Sequence, residues 1–186
     1  MSFTWTAHRF SGGALALDVA NSVVLRFDPQ RRIDRFADQR AIDSFAEAAN
    51  LHGCEKQRFG RLGPIGPERR ASLIDLREAT DRHFRALVWA EDRPELLADL
   101  LEAIAAVVRR PTSSGGYIAL DVATAHSALS LVANPEPDRL KICPNCEWLF
   151  LDRSRNRSRT WCDMAVCGNR TKAKRHYRRS KQETQP

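Results

Sequence analysis

Residues 143–170 read CPNCEWLFLDRSRNRSRTWCDMAVCGNR, and four cysteines set the frame: Cys143, Cys146, Cys162 and Cys167, spaced C-x2-C-x15-C-x4-C. Two close thiol pairs offer the four soft ligands that tetrahedral zinc takes, at Zn–S distances of about 2.3 Å. A redox C-x-x-C would leave Cys162 and Cys167 without a role, and no thioredoxin-like strand–helix–strand pattern surrounds Cys143. Four protein ligands leave no open position for water or substrate, so one structural ion is expected. The segment is too short to build a sizeable core of its own. Metal binding, with apparent free energies of about 10–16 kcal/mol in finger peptides, would then supply much of its folding free energy.

The residues between and after the cysteines extend this reading. Trp148, Phe150 and Trp161 are expected to cover one face of a hairpin whose turn lies in the polar stretch 152–158. Gly168 is expected to allow a left-handed turn beside the metal. Asn169 is expected to cap a helix on which Arg170, Lys174 and Arg178 stack at i, i+4 and i+8, with Lys172, Arg175 and Arg179 beside them. Ala173 and Tyr177 make a thin apolar stripe for docking that helix. Knuckle, hairpin, second ligand pair and helix together suggest a treble-clef-like finger.

Charge separates this segment from the rest. The chain carries a net +7, and residues 139–186 hold 13 Lys and Arg against 4 Asp and Glu, a balance of +9 that leaves −2 for residues 1–138. Such asymmetry points to a polyanion, with double-stranded DNA as the leading partner. The candidate nucleic-acid contacts are Arg153, Arg155, Arg157, Arg159, Arg170, Lys172, Lys174, Arg175, Arg178 and Arg179. The helix cations suit phosphate, whereas the hairpin arginines suit phosphate or guanine edges. Arg170 is equally placed to bond Asp152 or a carbonyl. Two rival readings stand: an RNA or single-strand binder whose aromatics stack bases, and a zinc-stabilised protein-interaction module.

Upstream, the expected class is α+β, mainly α: a helical unit over residues 1–138, then the finger over 139–186. The segment 10–13, FSGG, reads as a turn, followed by a short helix around Leu15–Val24. A helix over Arg40–Leu51 turns Ile42, Phe45, Ala46 and Ala49 inward and stops at Gly53. Pro67 opens a helix through Trp89, with Leu73, Leu76, Thr80, Phe84, Leu87 and Val88 on its apolar side. Pro94 opens another, with Leu97, Leu100, Leu101, Ile104, Val107 and Val108 as its stripe, ended by Pro111. Residues 117–120 suit a short strand, and Asp121 is expected to cap a last helix with Val122, Ala125, Leu129 and Val132 inside, broken at residues 134–137. Cys54 is expected to pack as a small apolar residue, and His8, His52, His83, His126 and His176 to serve on the surface or as caps. No convergent acid, base and nucleophile appear, so no enzymatic activity is expected. No apolar run reaches the ~18 residues of a membrane span and residues 1–10 lack a signal-peptide core; a soluble cytoplasmic protein is expected. A homo-oligomer and an unidentified small-molecule effector are both compatible with this reading.

The finger resembles the CGNR zinc-finger family, named for the tetrad at residues 167–170. The resemblance is carried by Cys143, Cys146, Trp148, Phe150, Asp152, Ser154, Arg155 and Asn156, then by Arg159, Trp161, Cys162, Met164 and the tetrad. Phe10, Gly12, Gly13, Leu15, Leu17, Asp18 and Asn21 resemble the opening of the ABATE domain that accompanies it. The resemblance implies a stress-induced transcription regulator that binds DNA. Ser22 stands where the family more often has Thr, and Thr160 where an Arg often precedes the Trp, removing one phosphate contact.

Overall fold

The computed structural model describes residues 3–110, 116–173, 177 and 181. Six helices and three two-stranded pairings make up most of its regular structure: α1 (Leu15–Ala20), α2 (Gln39–His52), α3 (Lys56–Phe59), α4 (Arg70–Val88), α5 (Pro94–Val108) and α6 (Leu120–Ala133). Strand β1 (Val23–Val24) pairs antiparallel with β2 (Ile33–Asp34). Strand β3 (Leu62–Gly63) pairs parallel with β4 (Ile118–Ala119). The last pair is the finger hairpin, β5 (Leu140–Ile142) antiparallel to β6 (Leu149–Leu151), with Lys141 opposite Phe150. Its turn is the cysteine knuckle between them, not the polar stretch 152–158 expected from the sequence, because among the described residues no strand follows β6 in the finger for that stretch to join. No helix among the described residues is long and apolar enough to cross a membrane.

Helices α1, α4, α5 and α6 pack together; α1 is buried at every residue and α6 is buried continuously from Leu120 to Ala125. Of the stripe expected on α6, Val122 and Ala125 are buried but Leu129 is exposed, because burial runs around most of the first half of the helix rather than along one face. The apolar faces of α2 and α4 are as expected, except that Leu87 is exposed; Leu101 and Val108 on α5 are exposed as well. The helix expected over Leu15–Val24 ends at Ala20, and Val23 and Val24 form β1 instead; β-branched residues suit the strand that Asp34 and Ile33 pair with.

Helix α4 also buries charge. Arg77, Asp81 and Arg85 fall at i, i+4 and i+8 and are all buried. Arg77 forks onto Asp34 at 2.7 and 2.8 Å, and Arg85 onto Asp81 at 2.8 and 3.2 Å. Asp121 does not act as a helix cap in the expected way. It is completely buried and accepts from Arg69 Nε at 2.7 Å. His83 is buried, where desolvation lowers its pKa. Cys54 is exposed rather than packed, yet desolvation, Asp18 and Glu55 push its thiol up to about 12.

Residues 10–21 form a plate on which the finger hairpin sits. Gly12 N–H donates to Asp18 Oδ1 at 2.8 Å, closing the turn. Its carbonyl accepts from Leu151 N–H at 2.8 Å. Gly13 has φ +80°, and a Cβ there would lie 3.1 Å from Leu151 Cβ, so glycine serves both the left-handed backbone and the close approach. Two residues back on β6, Leu149 N–H donates to Asn21 Oδ1 at 3.0 Å, and Asn21 Nδ2 donates to the Leu149 carbonyl at 2.8 Å. The alternation of a strand does the rest: Leu149 and Leu151 enter the helical core, while Trp148 and Phe150 pack with the cysteines.

Candidate metal centre

Cys143 and Cys146 lie on a tight turn closed by Glu147 N–H donating to the Cys143 carbonyl at 2.8 Å, with Cys143 N–H donating to Trp148 O at 2.9 Å. Glu147 holds the left-handed backbone, φ +61°. Of the second pair, Cys162 lies just before a π-helical turn, Met164–Gly168, and Cys167 lies on it. Asp163 caps that turn, its Oδ1 accepting from Ala165 N at 2.8 Å and Val166 N at 3.2 Å. The cap expected at Asn169 is thus supplied six residues earlier, and Asn169 already lies in helical backbone. Gly168 has no positive φ. Its lack of a side chain matters for space, because a Cβ would fall 2.3 Å from Met164 Sδ and 3.3 Å from Trp161 Cδ1.

The four sulfur atoms lie within 4.8 Å of one another, with Cys146 to Cys162 at 3.5 Å and Cys162 to Cys167 at 3.6 Å. Sulfurs at the corners of a tetrahedron with ~2.3 Å metal bonds are about 3.8 Å apart, so the cluster fits zinc. Its electrostatics agree. Hydrogen bonds from Cys146 and Cys162 pull the Cys143 thiol down, whereas the same contacts push Cys146 and Cys162 up. Thiols sharing protons in this way cannot all ionise until a cation replaces those protons. Cys143, Cys146, Cys162 and Cys167 would hold one zinc ion, which would fix the knuckle and the π-turn at a set separation.

A second centre organises the loop after β6. Asp152 is completely buried. Its Oδ1 accepts from Ser154 N at 2.9 Å and Ser154 Oγ at 2.6 Å. Its Oδ2 accepts from Lys141 Nζ and Arg159 N, both at 2.8 Å. Burial pushes the Asp152 carboxyl up, but Lys141 and the Ser154 and Arg159 donors hold it well below the usual carboxylate range. Lys141 Nζ also donates to the Arg159 carbonyl at 3.1 Å. The arginine-rich loop is therefore folded around one carboxylate and one ammonium, a role the sequence does not signal.

The expected cationic contacts divide into distinct environments. Arg155, Arg170 and Lys172 are exposed. Arg153 pairs with Glu136 at 2.6 Å, and Arg157 with Asp138 at 2.9 Å. Arg159 is half-buried: it donates to the Cys162 carbonyl and lies 5.4 Å over the Phe150 ring. Arg170 does not bond Asp152, whose acceptors are filled as above. Lys174, Arg175, Arg178 and Arg179 lie outside the described residues, as does His176. Helical backbone follows Cys167 through residue 173, but Ala173 and Tyr177 are exposed rather than seated as a docking stripe. Trp148 and Phe150 are buried and Trp161 half-buried.

The helical region reaches the centre from several sides. Arg85 donates to the Glu147 carbonyl at 3.1 Å. His8 Nδ1 lies 3.0 Å from Asp163 Oδ2, and its ring stacks on Trp148 at 5.3 Å. Among curated proteins, none matches the chain. Residues 139–180 match the family model of the CGNR zinc finger, and the chain carries that finger as its C-terminal, four-cysteine region.

Proposed function

We propose that the protein is a DNA-binding transcription regulator rather than an enzyme, with the finger as the DNA-contacting part. In this reading the helical region, ABATE-like in its opening residues, senses a signal or self-associates. The observation that carries the proposal is a set of exposed cations, Arg155, Arg170 and Lys172, in the same finger as the four-thiol centre, none of them paired with a carboxylate among the described residues. Arg153 and Arg157 add to it, because exposed ion pairs are worth only about 0–1 kcal/mol and phosphate can replace Glu136 and Asp138 as their partner. Burial of Trp148 and Phe150 weighs against base stacking as the main mode.

The test titrates zinc-loaded protein against duplex DNA, single-stranded DNA, RNA and an acidic protein at several salt concentrations. Duplex binding is expected, with log affinity falling linearly in log salt. Replacing Arg155 or Lys172 with Ala should each flatten that slope by about 0.9 without releasing zinc. Tighter binding to RNA or single strands would transfer the site to the rival nucleic-acid reading. Binding to the acidic protein alone would make it an interaction module.

A further inference from the structure

We propose that Arg9 and Arg35 of the helical region, gathered on Phe3 beside Trp148 of the finger, form one patch that binds the phosphate backbone of duplex DNA. The proposal rests on the DNA-binding reading above and places part of the interface where the finger match does not reach. Four of the eight buried or half-buried guanidinium groups described in the helical region have a carboxylate partner, Arg26 with Glu78 and Asp81, Arg69 with Asp121, Arg77 with Asp34 and Arg85 with Asp81, and Arg70 and Arg110 donate to backbone carbonyls instead. Arg9 and Arg35 are half-buried and have no carboxylate partner among the described residues. They meet instead across one aromatic ring, with Arg35 Cζ 4.0 Å and Arg9 Cζ 5.6 Å from the Phe3 centroid. Arg9 also lies 5.2 Å from the Trp148 ring, directly behind the zinc knuckle. Arg35 Nε is buried without an acceptor, so this guanidinium has given up water on one edge and gained no anion.

Gathering like charges has an electrostatic cost that something must offset. Desolvation, then the charges of Arg35 and Arg170, lower the Arg9 pKa, while Cys146 and Cys167 act in the opposite direction. Arg170 opens the helical stretch after Cys167 and is exposed. A phosphate diester meets the unpaired edges of these groups with the fork geometry that guanidinium favours. Stacking on Phe3 and Trp148 fixes the side chains beforehand, so little rotamer freedom is lost on binding.

The test is a salt titration of zinc-loaded, full-length protein on duplex DNA, comparing wild type with Arg35→Gln, Arg35→Lys, Arg9→Gln and Arg155→Ala. Arg35→Gln and Arg9→Gln should each reduce the log–log salt slope by about 0.9, with zinc content unchanged. Arg35→Lys, which keeps the charge, should restore most of it. An unchanged slope in both Gln variants, with a reduced slope in Arg155→Ala, overturns the patch and leaves finger-mediated binding standing. Equal losses in Arg35→Gln and Arg35→Lys also overturn it, since the role would then be packing on Phe3. If wild type binds no duplex, the patch and the DNA-binding reading fall together.

Discussion

Asp18 of the helical region and Asp152 of the finger are both almost completely enclosed and are treated in opposite ways, while Asp121, equally enclosed in the helical region, is paired with Arg69. Asp18 on α1 sits in an apolar core with one donor, Gly12 N–H, on Oδ1 and no partner on Oδ2. Burial, aided by the charge of Glu55, pushes its carboxyl well above the usual range, which favours the neutral acid. Asp152 in the finger receives four donors, one of them the Lys141 ammonium, and is held ionised. A region with enough apolar surface can enclose an acid by neutralising it. The finger has little such surface, so it uses charge as structure, with thiolates around a metal and a carboxylate at the hub of a loop. The two regions are nonetheless not independent, because β6 has one face in each.

Zinc removal is the hardest blow to this contrast. One zinc per chain is expected, and chelation or Cys167→Ser should unfold the finger, with about 10–16 kcal/mol at stake by comparison with finger peptides. Because Leu149 and Leu151 belong to the helical core, amide protection should fall there and around Asn21 as well. Metal analysis with hydrogen exchange reads both effects. Unchanged protection at Leu149–Leu151 in metal-free protein would show that the helical region holds β6 without the finger.

A change confined to the helical side should do the reverse. Arg69→Ala leaves Asp121 buried without its cation, at a cost of about 3–5 kcal/mol. Urea unfolding should show that loss while zinc content stays at wild-type level. Zinc loss from the folded Arg69→Ala protein would mean that the two regions are coupled more tightly than a shared strand implies.

The smallest expected effect is one of pH. The pKa of Asp18 is raised above its unfolded value of 3.8. Its contribution is therefore fully present below that value and is lost as pH rises through the folded pKa. Asp152, with a lowered pKa, contributes above 3.8 and loses that contribution as pH falls. Asp18→Asn should remove the first dependence and keep the second. The difference in stability between wild type and variant, followed upward from pH 3.8, should shift in favour of the variant. A flat difference would mean that Asp18 stays ionised in the folded protein.

Among the described residues, the metal centre was legible in the sequence almost whole, because ligand spacing in a short chain segment is local information. Four cysteines at C-x2-C-x15-C-x4-C allow few arrangements, and the knuckle and following helix come from the same stretch, whereas the hairpin turns at the knuckle itself rather than at residues 152–158 as expected. Helices α2, α4 and α5 were legible for a similar reason, since apolar periodicity and Pro or Gly punctuation lie within each segment. What tertiary structure decided was pairing across distance. Nothing near Asp18 or Asn21 shows that the one would be neutralised by burial and the other would clamp β6, 128 positions away. Nor does anything near Arg77 show that its partner would be Asp34, 43 positions away. Arg9 and Arg35 look like ordinary surface cations until folding sets them on one phenyl ring beside the knuckle. Sequence spacing fixes which groups can share an ion within one segment; which charges meet a partner, and which are left for one, depends on the packing of segments far apart in the chain.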